Sequence, residues 1–419
     1  MKKRILEAGK SLLIIVLIVT LLLLTVAAMP KEMIRSTPWL SNVLQPLAPF
    51  FGLQEAELTY VEDAQPVMDA AQPLRITVGN TAGRYTAQWD FASLDSAFDM
   101  LGGLLGQALD TAGEMTEITT QTVTEALTCP SVCFDYGFPI SARLLGSWLD
   151  AATVPADVSG ERYILAVEDG QVNLYLAGED KYCAATAVDS AALTAVLESV
   201  KPDGSLYGFE TSTRLQSLAL LPGVRPRMET AEAANPCDTR YTEALATELG
   251  FNPYDENRYI DSAGATWFSE TSCSLQVDPA GQILLSSTSA DRFQADSSTE
   301  EALVELSREL VQLTVGDVLG EARIYLNGVT RTGTETIVTF DYVLRGIPVV
   351  CSSGPAASLT FSGQSLKEMS VRVMSLSCTG EAVQLLPPQQ AAAIIPLGGK
   401  LALQYVCTGF GALSAGWVK

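Results

Sequence analysis

Asp90 in "QWD", Asp135 in "CFDY" and Asp341 in "TFDY" each follow an aromatic residue. Paired carboxylates can share general acid–base work when their surroundings pull their proton affinities apart. The two in "FDY" fall at positions of alternating stretches expected to face water, so they read as solvated carboxylates rather than an acid–base pair. The other reactive set is Cys129, Cys133, Cys183, Cys237, Cys273, Cys351, Cys378 and Cys407. No CxxC spacing occurs, which removes zinc ribbons and thioredoxin-type sites. The nearest pair, "CPSVC", reads as small buried hydrophobes. Histidine is absent. That excludes Ser-His-Asp and Cys-His nucleophilic catalysis and imidazole metal ligands. No Ser-x-x-Lys arrangement replaces them. "GGLLG" lacks the strand, loop and lysine of a phosphate cradle, and "GKS" at 9–11 has Arg4 where a P-loop needs glycine. "GED", "VEDGQ" and "VDPAGQ" read as hairpin tips without calcium-loop spacing. No catalytic, metal or cofactor-binding residue is assigned, and the chain is read as non-enzymatic.

A protein without an evident active site works through where it sits and what it touches. The charge is lopsided. Residues 1–35 hold six bases and two acids, which leaves 20 bases against 46 acids in the remainder. So acidic a body repels nucleic-acid backbones and anionic lipid surfaces at long range, and no nucleic-acid partner is expected. The 419 residues, 47% hydrophobic, suffice for two or three domains with real cores.

Residues 12–29 form an eighteen-residue run without charge, about 27 Å long as a helix. Leu12, Leu13, Ile14, Val16, Leu17, Leu21, Leu24 and Val26 make up its greasy surface, and Thr20 and Thr25 are its only polar interruptions. Lys2, Lys3, Arg4 and Lys10 precede it, which keeps the N-terminus cytoplasmic and everything after residue 30 outside. "VAA" ending at Ala28 has small residues suited to signal cleavage. Against a cut, the apolar run reaches that point without a polar stretch, and Pro30 follows. The reading taken is an uncleaved single-pass anchor in the cell membrane. Membrane helices associate through packing and polar contacts. Thr20 or Thr25 is therefore a candidate partner contact, although the two lie about 140° apart around a helix.

The elements that follow are α+β in pattern. Six prolines between 30 and 73 mark a stalk. "LRITVGNTAGRYTAQWD" alternates as strand–turn–strand, and Leu94, Phe98, Leu101, Leu105 and Leu109 recur at helical spacing behind Ser93 as a cap. "RYILAVEDGQVNLYLAGEDKYCAATAV" is a meander turning at Asp169-Gly170 and Gly178-Glu179. A second unit starts at "TRYTEALATELGFNPY". A third starts at a helix with Leu303, Leu306, Leu310 and Leu313 on one face and Ser298 or Thr299 as cap. "SLQVDPAGQIL" and "SLTFSGQSL" form a weak internal repeat, which suggests tandem modules of antiparallel sheet with packed helices. The expected division is 1–29 basic tail and transmembrane anchor, 30–72 Pro-rich stalk, 73–230 N-terminal α+β domain, 231–296 middle module and 297–419 C-terminal module. A hairpin at Gly363-Gln364 would put Cys378 diagonal to Cys351, a possible disulfide unless Gly354-Pro355 breaks the strand. Trp267 and Trp417 are expected to pack against their module helices, and Trp417 is also a candidate partner anchor.

"GRYTAQWD", "FDYGFPISARLLGSWL", "LGFNPYDENRYIDSAGATWFSE", "FDYVLRGIPV" and "LALQYVCTGFGALSAGWVK" together resemble the YycH/YycI-like proteins of Gram-positive bacteria. The resemblance covers roughly residues 5–419. It implies a single-pass protein with an extracytoplasmic body that regulates a WalK-type two-component histidine kinase through contacts in and outside the membrane. It transfers no active-site residues. It departs where Ala415-Gly416, rather than proline, precede Trp417. It also departs where the chain stops at Lys419, which implies a C-terminal sheet one strand short and an open edge. The expected partners are a membrane histidine kinase and/or a homologous regulator, with the lipid bilayer held through the N-terminal helix. The alternative is an anchored binding module for an envelope peptide or glycan. The mature protein is expected to fractionate with membranes at full mass. N-terminal sequencing that begins at Met29 would refute the anchor.

Overall fold

The computed structural model of the protein describes residues 70–418, apart from 155–157, 255–257 and 289–291. The anchor, Thr20, Thr25 and most of the stalk lie outside the described residues. No helix among the described residues is long and apolar enough to cross a membrane. The fold is α+β, with two large, mostly antiparallel sheets within the compact unit Asp63–Lys419.

The first sheet contains β1 (Arg75–Asn80), β2 (Gly83–Ala87), β3 (Thr116–Glu117), β4 (Ser131–Ser141), β5 (Ser159–Glu168), β6 (Gln171–Ala177) and β7 (Lys181–Ala185), in the order β2-β1-β4-β5-β6-β7-β3. Helices α1 (Phe91–Thr111), α2 (Thr120–Ala126), α3 (Ala142–Trp148) and α4 (Ser190–Ser199) accompany it. Asp90 caps α1 by accepting from the Ser93 amide at 3.0 Å, so the cap lies three residues earlier than expected. The predicted stripe of Leu94, Leu101, Leu105 and Leu109 is fully buried against Val132, Phe134, Leu165 and Leu174. α3 and α4 cover the same face. The opposite face is covered as well. α2 and a short ribbon of β8 (Leu206–Tyr207) and β9 (Leu220–Leu221) set Val123, Leu127, Tyr207 and Leu220 over Cys133, Ile164 and Tyr175. The sheet is thus the middle of three layers. The meander turns as predicted: Asp169 and Gly170 take φ 51° and 82°, the left-handed pair of a tight hairpin.

The second sheet begins with β10 (Glu229–Ala234), β11 (Arg258–Ile260), β12 (Thr266–Ser269), β13 (Cys273–Val277) and β14 (Gln282–Ser287). It continues with β15 (Ala322–Thr332), β16 (Glu335–Leu344), β17 (Ile347–Cys351), β18 (Ala357–Ser362), β19 (Ser365–Arg372), β20 (Ser375–Ala382), β21 (Ala402–Cys407) and β22 (Gly411–Val418). Its order is β11-β12-β13-β14-β19-β18-β16-β17-β21-β22-β10-β20, with β15 on β16. Helices α5 (Thr239–Glu248), α6 (Glu300–Val315) and α7 (Pro388–Ala393) belong to this half. Gly250, at φ 77°, ends α5 as expected. Thr299 caps α6, and Glu300 and Glu301 in its first turn complement the helix dipole.

Several expectations change here. The two repeat hairpins, β13–β14 and β18–β19, are neighbours, because β14 pairs β19 from Gln282↔Arg372 to Ser286↔Glu368. Residues 231–296 and 297–419 therefore share one sheet. The last strand is not an open edge: β22 lies between β21 and β10. Ala71 and Gln72, placed in the stalk by sequence, are buried in the folded body. Cys351 and Cys378 are both free thiols on different strands. Gly354-Pro355 does end the strand, so Cys351 sits on β17 opposite Cys407, while Cys378 sits on β20 opposite Ala231. Trp267 stacks on Tyr259 and donates to Asp261 at 2.9 Å.

The two halves share one core. α6 packs on α3 of the first half and on α5, β16 and β18 of the second. The turn between β16 and β17 meets the β2–α1 connection so closely that a side chain at Gly346 would lie 2.6 Å from the Asp90 amide nitrogen. Gly346 is also left-handed, at φ 81°. Gly346→Ala is expected to cost at least about 1–2 kcal/mol from the backbone alone, with overlap adding about 1–3 kcal/mol. A denaturant midpoint unchanged by the substitution would contradict this contact.

Candidate functional site

Asp135 is not a solvated carboxylate. β1, β4 and β5 place Arg75, Asp135 and Arg162 directly opposite one another in one row across the sheet. Asp135 Oδ2 accepts from Arg75 Nη2 at 2.5 Å and from Arg162 Nε at 3.0 Å, and its Oδ1 accepts from the Gly137 amide at 3.0 Å. Burial opposes ionisation, but the Arg162 and Arg75 charges and these hydrogen bonds outweigh it and hold the carboxyl well below its ordinary range. A carboxylate so engaged is a poor proton carrier. Cys133, two residues earlier, is fully covered, and burial pushes its thiol up to about 11. It is therefore a poor thiolate nucleophile near neutrality.

Asp341 on β16 is also partly buried. Burial raises its proton affinity, while the Ala356 amide at 3.0 Å and the Asn327 amide group at 2.6 Å oppose the rise. Asp90, Asp135 and Asp341 thus have three separate structural tasks: helix cap, cross-strand ion row and loop anchor. The structure does not bring them together as an acid–base pair. No cluster of three or more metal-ligating side chains occurs among the described residues.

The polar groups that do converge lie at the junction of the two halves, and the sequence reading missed them. Arg323 on β15 forks onto Asp95 of α1 with bonds of 2.7 and 2.8 Å, and its Nη1 also reaches Gln72 Oε1 at 3.0 Å. The Tyr325 hydroxyl donates to the same Gln72 oxygen at 2.9 Å, and the Arg323 guanidinium lies 4.1 Å over the Phe91 ring. Hydrogen bonding to Arg323 lowers the Asp95 proton affinity. Nearby, Trp148 at the end of α3 donates to Glu305 of α6 at 2.5 Å. A small cleft beside this network is lined by Ala70, Trp148, Arg308, Gln312, Tyr325 and Phe340. It offers donors and an aromatic wall for a contact, and no nucleophile–base pair lines it. No spacing rule links residues 72, 95 and 323. A signal existed only in the odd placement of arginine on an alternating strand.

Trp417 lies on β22. Its indole donates to the Leu386 carbonyl at 2.9 Å and meets Trp89 edge to face at 5.7 Å. It packs against the α7 residues as expected, but its polar edge is already occupied. No family model, curated protein or solved structure matches the chain.

Asp135→Asn removes the carboxylate shared by buried Arg162 and half-buried Arg75, leaving Arg162 only the longer contact to Glu161 at 3.8 Å, and is expected to cost up to about 3–5 kcal/mol at neutral pH. The folded carboxyl is depressed, so its contribution is present above the unfolded value of about 3.9 and fades as the pH falls below it. The gap between wild type and variant should therefore narrow in acid. Chemical denaturation at pH 7 and pH 3 checks both statements, and equal gaps at the two values would contradict the ion row.

Proposed function

We propose that this chain is a membrane-anchored extracytoplasmic regulatory protein. It acts by protein–protein contact on a membrane histidine kinase or a homologous regulator in cell-envelope signalling, as the resemblance to the YycH/YycI-like proteins implies. The observation that carries the reading is the charge-free run at 12–29 behind Lys2, Lys3, Arg4 and Lys10, which precedes an acidic α+β body. In this reading a transmembrane helix leads into the antiparallel modules, and the body favours one state of the kinase by binding that state better. The commitment of Asp90, Asp135 and Asp341 to structural partners supports a contact role over an acid–base one.

The membrane segment has a second job under this proposal: it touches a partner helix. Replacing residues 12–28 by a poly-leucine span keeps the anchor and removes Thr20, Thr25 and the small residues Ala27 and Ala28. The expected result is unchanged membrane localisation with reduced kinase co-purification and altered signalling. Undiminished co-purification and signalling would confine the contact to the body. Absence of any kinase or homologous regulator in pull-downs of the wild-type chain would overturn the proposal.

A further inference from the structure

Two acid-free segments of this acidic chain meet in the fold. Residues 211–228 hold Arg214, Arg225 and Arg227, and residues 382–418 hold Lys400, without a single Asp or Glu between them. The fold brings these segments side by side. The Arg225 guanidinium donates to the Leu385 carbonyl, the Gly398 amide donates to the Arg214 carbonyl at 2.8 Å, and the Gln216 amide donates to the Gly399 carbonyl at 3.0 Å. Leu215, Ala219 and Leu221 of one segment share a small core with Ala391, Ala392 and Ile395 of the other.

That core uses only one side of α7 and its flanks. Leu386, Gln390, Ala393, Ile394 and Leu397 recur at three- and four-residue spacing on the outward side. Leu397 is 85% exposed, Ile394 57% and Leu386 47%, and Val224 beside Arg225 is 58% exposed. Arg214 and Arg227 are exposed and have no carboxylate partner among the described residues. Lys400 is the exception, reaching Glu161 at 3.4 Å.

We propose that this face binds an anionic lipid surface, with Leu386, Ile394, Leu397 and Val224 entering the headgroup–acyl boundary and Arg214, Arg225, Arg227 and Lys400 meeting lipid phosphates. Charge decides the occupant. The two segments that carry exposed Val224, Leu386, Ile394 and Leu397 hold none of the 46 acids found after residue 35, and Arg214 and Arg227 stand beside those side chains without a carboxylate partner among the described residues. Protruding aliphatic residues rimmed by cations are what an interfacial lipid contact requires. A protein hot spot instead favours aromatic anchors seated in pockets. The proposal rests on the anchored reading only for the presence of a nearby bilayer.

The test is hydrogen exchange on the full chain reconstituted in vesicles of phosphatidylcholine, with and without phosphatidylglycerol. Amides of 211–228 and 385–400 should exchange several-fold more slowly in the phosphatidylglycerol vesicles, and the difference should shrink at high salt. Arg214→Gln with Arg227→Gln should weaken this protection by roughly fivefold per charge removed. Ile394→Asp with Leu397→Asp should abolish it, while β16 and β18 keep their wild-type exchange as proof of folding. Equal exchange in the two lipids would overturn the proposal. So would protection that follows protein density rather than phosphatidylglycerol, which would mark a contact with a second copy. Failure to capture a kinase leaves this readout intact. If the anchor were cleaved, the released body should still sediment with phosphatidylglycerol vesicles at low salt.

Discussion

Helix α6 has to satisfy two sheets at once, and the body is built around that requirement. Leu303, Val304, Leu310, Val311 and Val315 are all buried, and so are Ser307 and Thr314. The two hydroxyls donate to carbonyls one turn back, at 2.7 Å each, so they add no unsatisfied polar group to the interior. A helix wetted on one side needs a stripe; this one is covered over more of its circumference because α3 approaches it from the first half and β16 and β18 from the second. Each buried leucine contributes about 1.5–3 kcal/mol relative to exposure. Much of what joins the halves therefore resides in this one element, and the apolar contact is non-directional. Direction comes from the polar pairs around it, Trp148 with Glu305 and Arg323 with Asp95.

Charge is used twice in the molecule, for different ends. Inside, the Arg75–Asp135–Arg162 row contributes little net stability compared with an apolar row, because desolvation offsets attraction. Its effect is on register. A one-residue slip of β1 or β5 against β4 would carry each arginine to the other face of the sheet and leave Asp135 bare. Arg84 with Glu210, at 2.8 Å, similarly fastens the 206–221 ribbon to β2. Outside, the segments that form the α7 face carry no acid of their own, and Glu161 reaches it only at Lys400.

The local elements were legible because local rules govern them. Leucine spacing located α1 and α6, the Thr299 cap marked the start of α6 although Leu313 stays exposed, and Asp-Gly located the β5–β6 turn. Asp135 was misread because alternation assumes one wet face. β4 is covered on both, and Ser131 to Tyr136 is buried without interruption. That residues 231–296 and 297–419 share one sheet was hidden for a related reason. A hairpin repeat reveals two similar units, but pairing of β14 with β19 depends on edges that only meet in three dimensions. The disulfide expectation extended a correct hairpin too far: β18 and β19 pair about Gly363-Gln364, yet the strand ends at Ala357, six residues short of Cys351. Arg323 is separated from Gln72 and Asp95 by more than two hundred residues, and the trio was invisible to any spacing argument.

The place of β22 governs the order in which the protein can be completed. The first sheet is assembled from residues 75–185 and can close as soon as they are available. The second cannot: β10 waits for β20 and for β22, whose Ala412 stands opposite Glu232. During synthesis, about 140 residues must emerge before β10 gains β20 and about 180 before it gains β22, an interval in which its backbone groups are open to wrong pairings. The Glu-Thr-Ala-Glu-Ala-Ala composition of β10 suits that wait. With two carboxylates and no bulky apolar side chain, it is a strand that attracts few competitors until its own partners arrive.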